Sequence, residues 1–145
     1  MPLSIDKIIT EVQDSFHNNS IVKRIGKFFF YADSPKLYII TPYWHAAMSQ
    51  FPMRMLKRRI LKSGCSCLIY QFPVKILSDN VDLTEKYFKE IQEEVKKDIR
   101  KIKDKYNFSE IIVVGMSLGC VNALMIANKN SDVNKVCLVV AGDSL

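Results

Sequence analysis

"IIVVGMSLGC" (Ile111–Cys120) decides how the rest of the chain is read. Ile111–Val114 is an unbroken β-branched run, the composition of a strand covered on both faces. It leads straight into Gly115-Met116-Ser117-Leu118-Gly119, and Cys120 to Ala127 then reads as a helix. A serine at such a turn can be lifted clear of the sheet in a strained backbone conformation. The residues two before and two after crowd against it, so both positions favour glycine. The helix that follows presents free N–H groups and a partial positive charge. The N–H of Leu118 is then placed to stabilise an oxyanion. The pentapeptide is the G-x-S-x-G pattern, which has chemical meaning only in a strand–turn–helix context. The competing reading makes Ser117 a helix cap in a plain glycine turn. A P-loop is excluded, because no Gly-Lys-Ser/Thr follows.

Working outward, the elements alternate. "KVCLVVAG" (Lys135–Gly142) reads as a final buried strand. Upstream of the central strand, Asp82-Leu83-Thr84-Glu85 reads as a capping box. Leu83, Tyr87, Phe88, Ile91, Val95, Ile99, Ile102 and Tyr106 then step by threes and fours along one helix face. "CSCLIYQF" (Cys65–Phe72) is another buried strand. A basic helix from about Pro52 to Lys62 precedes it, with Gly64 as its stop. "IGKFFFYA" and "KLYIITPYW", joined at Asp33-Ser34-Pro35, read as two strands of a hairpin, the second ending near Thr41 before Pro42. Ser4 to Phe16 has helical spacing of Ile5, Ile8, Ile9, Val12 and Phe16. This order implies right-handed crossovers and an α/β fold of three layers: a mainly parallel sheet with helices on both faces.

At 145 residues, the chain is expected to be a single domain able to bury a core without staples. It is 48% hydrophobic and 25% charged, as soluble globular domains are. A net charge of +6 does not make a nucleic-acid binder, and aromatic RNA-binding motifs are absent from the sequence. No run approaches the roughly 18 apolar residues of a membrane span, and "MPLSIDKIITEVQDSF" lacks the apolar core of a secretory signal. Cys65, Cys67, Cys120 and Cys137 have no zinc spacing, so neither a metal nor a cofactor is implied, and buried, reduced thiols fit a cytoplasmic protein. Arg54, Lys57, Arg58, Arg59 and Lys62 make the first helix basic, which is read as a solvated face, with attraction of an acidic group as the functional alternative. Met48, Met53 and Met55 are read as core, with an acyl-pocket wall as the alternative.

From Phe28 onward, the chain resembles the α/β-hydrolase superfamily. The resemblance rests on "IIVVGMSLG" and on the order of elements around it. It implies a serine hydrolase acting on a carboxylic ester or thioester, with Ser117 as nucleophile and no cofactor. It implies a second oxyanion N–H from the loop "TPYWHAA" (Thr41–Ala47), with Tyr43 the first candidate and Trp44 the second. The family often has His-Gly in this loop, where this sequence has Thr41-Pro42. In the family, the acid and then the histidine follow the nucleophile. Asp143 falls at the less common acid position and otherwise reads as a solvated loop residue. His17 and His45 both precede Ser117. His45 is read as lining the pocket, or as a base out of the family's order; His17 reads as an exposed helix end. The resemblance therefore implies a partial α/β-hydrolase fold lacking its C-terminal third. The second hypothesis is a non-catalytic α/β-hydrolase-like domain used for binding or assembly. The apolar strand Val136–Ala141 is expected to mediate self-association, as unprotected sheet edges do.

Overall fold

The computed structural model describes residues 7–9, 25–42, 51–72, 81–117 and 119–139. The strand β5 (Glu110–Met116) lies deep in the sheet, with Ile111 to Gly115 all buried. Its apolar run has covered faces on both sides, which explains the missing polar alternation. The other elements are β1 (Lys7–Ile9), β2 (Gly26–Phe30), β3 (Lys36–Thr41), α1 (Phe51–Lys62), β4 (Ser66–Gln71), α2 (Val81–Lys105), α3 (Gly119–Lys129) and β6 (Lys135–Val139). The sheet order is β1-β2-β4-β3-β5-β6. β4, β3, β5 and β6 run parallel, while β2 is antiparallel to β4 and β1 is antiparallel to β2.

Two cores sandwich the sheet. Ile91, Val95, Ile99 and Ile102 of α2 and Ala123 and Ile126 of α3 pack on one face, against Leu37, Ile39, Leu68 and Val113. Met53 and Ile60 of α1 pack on the other, against Ile40, Cys67, Ile69 and Val114. Neighbouring residues along one strand thus serve opposite cores, as a strand's two-residue period requires. The three-layer α/β architecture expected from the sequence is present. α1 stops at Gly64, whose φ of 81° suits a left-handed helix end. Gly64 donates to the Leu61 carbonyl at 3.0 Å and Cys65 to the Ile60 carbonyl at 3.2 Å, which satisfies the last turn. Met53 is core, and Arg54, Arg58, Arg59 and Lys62 are solvent-exposed, so α1 is an ordinary amphipathic helix.

Four expectations need correction. β2 and β3 do not form a hairpin, because β4 lies between them. Ser66 at the start of β4 explains how the link is held: its hydroxyl accepts from the Ala32 N–H at 2.8 Å and donates to the Ala32 carbonyl at 2.9 Å. The link is therefore anchored to the strand it steps over. Lys7–Ile9 is a strand, not part of a helix, paired with Phe28–Phe30. Its isoleucines suit either state, and the backbone edge of β2 overrides their helical spacing. The capping box is also displaced: α2 begins at Val81, so Asp82 lies inside the first turn, where its charge still suits the helix dipole. Finally, β6 is not buried. All five of its residues are exposed, including Cys137, because β6 ends the sheet among the described residues.

Candidate functional site

β5 ends at Met116, α3 begins at Gly119, and Ser117 stands between them at the C-terminal edge of the parallel strands. Ser117 has φ 53° and is exposed. Among the described residues it is the sole non-glycine with positive φ. Such a conformation costs on the order of 1–3 kcal/mol and persists only where the surroundings enforce it. Those surroundings are specific. The Ser117 N–H donates to the Val139 carbonyl on β6 at 2.8 Å, and the Ser117 carbonyl accepts from the Cys120 N–H of α3 at 2.9 Å.

The two glycines explain how the turn can be this tight. A Cβ on Gly115 would lie 2.7 Å from both the Ala123 Cβ and the Cys120 Cα. A Cβ on Gly119 would lie 2.0 Å from the Thr41 carbonyl oxygen and 2.6 Å from that of Pro42. Both obstacles to Gly119 are backbone, so no side-chain movement relieves them. The glycines let α3 close onto β5 and let the end of β3 touch the first turn of α3.

Thr41 is the residue whose importance sequence reasoning missed. It is fully buried, and its hydroxyl donates to the Gly119 carbonyl at 2.8 Å, with the Val114 carbonyl 3.3 Å away. Thr41 thus ties β3, β5 and α3 together beneath the turn, and Pro42 carries the chain onward beside it. The available signal was a single hydroxyl closing the apolar run "LYII" just before a proline. A buried polar group of that kind needs a partner.

Of the other residues singled out from the sequence, Leu118, Tyr43, Trp44, His45, Asp143 and His17 lie outside the described residues, as does Met48. Cys120 is half-buried on the first turn of α3, its thiol 3.4 Å from the Gly115 carbonyl. Cys65 and Cys67 are buried, and burial pushes the Cys67 thiol well above its ordinary range, so it stays protonated and unreactive. Among the described residues, no helix is long and apolar enough to cross a membrane.

A second polar cluster lies on the α2 face. Tyr70 donates to Asp98 at 2.8 Å, and Lys27 pairs with both Asp98, at 3.1 Å, and Glu94. Burial raises the Asp98 carboxyl above its ordinary range, against the pull of Lys27 and Tyr70. Burial works to lower Lys27, but Glu94 and Asp98 outweigh it and hold the ammonium above 10.5. Tyr70 is pushed well up by burial and by the Asp98 charge. These groups pin α2 to β2 and β4.

Comparison with solved structures gives the fold a wider setting. An esterase of Pyrococcus furiosus superposes with a TM-score of 0.62 at 16% identity, over 95% of this chain and 50% of that one. A cold-adapted esterase from an Arctic intertidal metagenomic library gives 0.64 at 10% identity, over 79% and 54%. A predicted hydrolase from Thermoplasma acidophilum gives 0.59 at 13% identity, over 99% and 67%. This is an α/β-hydrolase fold. The chain spans about half the length of the two esterases. No protein-family model matches it. No curated protein matches it either.

Proposed function

We propose that this chain carries the nucleophile portion of a serine hydrolase acting on a carboxylic ester or thioester. The observation that carries the reading is Ser117: exposed, at φ 53°, between two glycines whose close neighbours exclude a methyl group. A capping serine has no need of that strain, whereas a nucleophile elbow does. In this reading the Ser117 Oγ attacks the acyl carbonyl. The Leu118 N–H and the Tyr43 N–H donate to the oxyanion, and the adjoining start of α3 adds favourable dipole. The short link through Thr41 and Pro42 supports placing Tyr43 there, since Pro42 abuts Gly119. The base and acid lie outside the described residues. His45 and Asp143 are the candidates within the 145 residues; the alternative is a C-terminal third that completes the domain.

A fluorophosphonate probe, with Ser117→Ala as control, tests the reading. Slow labelling that disappears in the control is expected. Hydrolysis of an activated ester should be feeble, because a serine without its base keeps only binding and oxyanion catalysis, about 10³–10⁴-fold over water in proteases. Equal labelling of wild type and control would overturn the assignment. Fast turnover lost on His45→Ala would make His45 the base. No labelling at all would favour the non-catalytic binding or assembly domain.

A further inference from the structure

The buried face of α3 consists of Gly119, Asn122, Ala123 and Ile126, spaced as one stripe of a helix. Gly119 meets the backbone of Thr41 and Pro42, and Ala123 fills the space that a Cβ on Gly115 would need. A helix turned about its axis would lose that fit to the Ser117 turn. Apolar burial does not select the observed rotation. Val121 and Leu124 stand 48% and 51% exposed on the same helix, while the polar Asn122 is fully buried. Hydrophobic burial would favour turning the two larger apolar residues inward, so a directional contact is needed to hold α3 as it is. Asn122 Oδ1 accepts from Gln92 Nε2 of α2 at 3.4 Å, and Gln92 is itself only 2% exposed. Gln92 Oε1 and Asn122 Nδ2 are buried and have no hydrogen-bond partner.

We propose that Gln92 is a positioning residue for the Ser117 turn: its amide sets the rotation of α3 through Asn122. The chemistry of the pair argues for this role over a stabilising one. Two buried amides that share one hydrogen bond leave an acceptor and a donor unpaired, and each such group costs stability. Apolar side chains of the same size in both places would hold the helices together at least as well. They would not hold them at one angle, because hydrophobic contact has no direction. A hydrogen bond weakens steeply as its angle closes down. Asn122 is well placed to pass this constraint on. It lies within one turn of Gly119, and the Cys120 N–H in that turn donates to the Ser117 carbonyl at 2.9 Å. A small rotation of α3 therefore moves the N-terminal end of the helix and the Ser117 carbonyl with it. The effect on labelling rests on Ser117 being the nucleophile; the effect on the turn itself does not.

The test compares stability with the state of the turn in the whole 145-residue chain. Gln92→Met and Asn122→Leu each leave the other amide buried alone, and each should lower the urea midpoint. The double variant removes both amides at nearly constant volume and should return the midpoint to the wild-type value or above. Despite that recovery, it should label with the fluorophosphonate probe at least about tenfold more slowly than wild type, since small misplacements cost rate steeply. Hydrogen exchange supplies a readout that needs no catalysis. The Cys120 N–H should exchange at least about tenfold faster in the double variant, with the Val113 N–H in the middle of β5 unchanged. A wild type that does not label fails the nucleophile reading alone, and exchange at Cys120 then decides this proposal. Wild-type labelling and wild-type exchange in the double variant would overturn it. A labelling rate that simply follows the urea midpoint through all the variants would overturn it equally, because Gln92 would then act on stability and not on the turn.

Discussion

Two strands flank the turn that holds Ser117, and they differ sharply. β3, on one side of β5, is locked: Thr41 is buried, bonded to Gly119, and too close for any side chain there. β6, on the other side, is exposed at all five of its residues among the described ones, yet its Val139 carbonyl holds the Ser117 N–H. The turn is therefore braced on one side by immovable backbone contact and on the other by a strand with little packing of its own. The shape of the turn should depend more on the first side than on the second. Substitutions can separate these dependences.

The largest effect should come from Gly119→Val. The new Cβ would meet two backbone oxygens, so β3 and α3 must part. We expect a loss of at least about 3 kcal/mol, at the upper end of overpacking costs, seen as insolubility or a collapsed denaturation midpoint. Gly64→Ala provides the contrast. Unlike Gly119 it sits at positive φ, and nothing lies within 4 Å of its Cβ position, so it should cost about 1 kcal/mol through backbone preference alone. Similar effects at the two glycines would remove the distinction between crowding and simple backbone preference.

Next in size is Lys27→Met, remote from both flanks. It leaves Asp98 and Glu94 beside each other without their cation, at a cost of about 3 kcal/mol. The pH dependence has a definite sign. A carboxyl whose folded pKa is raised stabilises the fold fully below its unfolded value, and that contribution is lost as pH rises through the folded value. For Asp98 this means a decline starting just above its ordinary 3.8. Lys27, also raised, stabilises below its ordinary 10.5, and this is lost as pH climbs through its folded value. Urea midpoints across pH should show Asp98→Asn flattening the acid limb, and Lys27→Met reducing the alkaline decline, to which the raised Tyr70 also contributes.

A smaller change, of opposite sign, should follow from Ser117→Gly. Glycine adopts φ near 53° freely, so stability should rise by about 1 kcal/mol while probe labelling disappears. A gain would show strain stored at the turn. No gain would mean that the Cys120 and Val139 hydrogen bonds define a conformation serine tolerates well.

The legible parts of this molecule follow from local chemistry. Ile111–Val114 followed by glycines at positions 115 and 119 could be read as strand and turn because apolar coverage and steric room leave their mark on residue type. α2 was legible for the same reason, through its periodic apolar face. What was not legible depends on neighbours distant in sequence. Nothing in Ala32–Lys36 says that Ser66 lies between the strands it joins. Nothing in Ile8–Ile9 says that the edge of β2 is vacant for them. The apolar run Val136–Val139 reads as buried because residue type reports what a strand can pair with, not what covers it. At the candidate site, the glycines pointed to Ser117, whereas Thr41 gave only a hydroxyl at the end of a buried run.

The smallest effect tests the bare side. Leu138→Ser removes an apolar side chain that is 42% exposed, whereas Ile126→Ala empties a fully buried position on α3. Ile126→Ala should cost about 2–5 kcal/mol through transfer and cavity terms. Leu138→Ser in dilute protein should stay within about 0.5 kcal/mol, as exposed substitutions do. Concentration then separates two explanations of a bare strand. If β6 pairs with a second copy, folding is linked to association, and wild-type stability climbs with concentration by mass action. The Leu138→Ser curve should stay flat, so the two proteins diverge only when concentrated. Parallel curves at every concentration would mean that β6 is exposed without being a contact, and a large loss in dilute Leu138→Ser would mean that the strand is packed against its own chain.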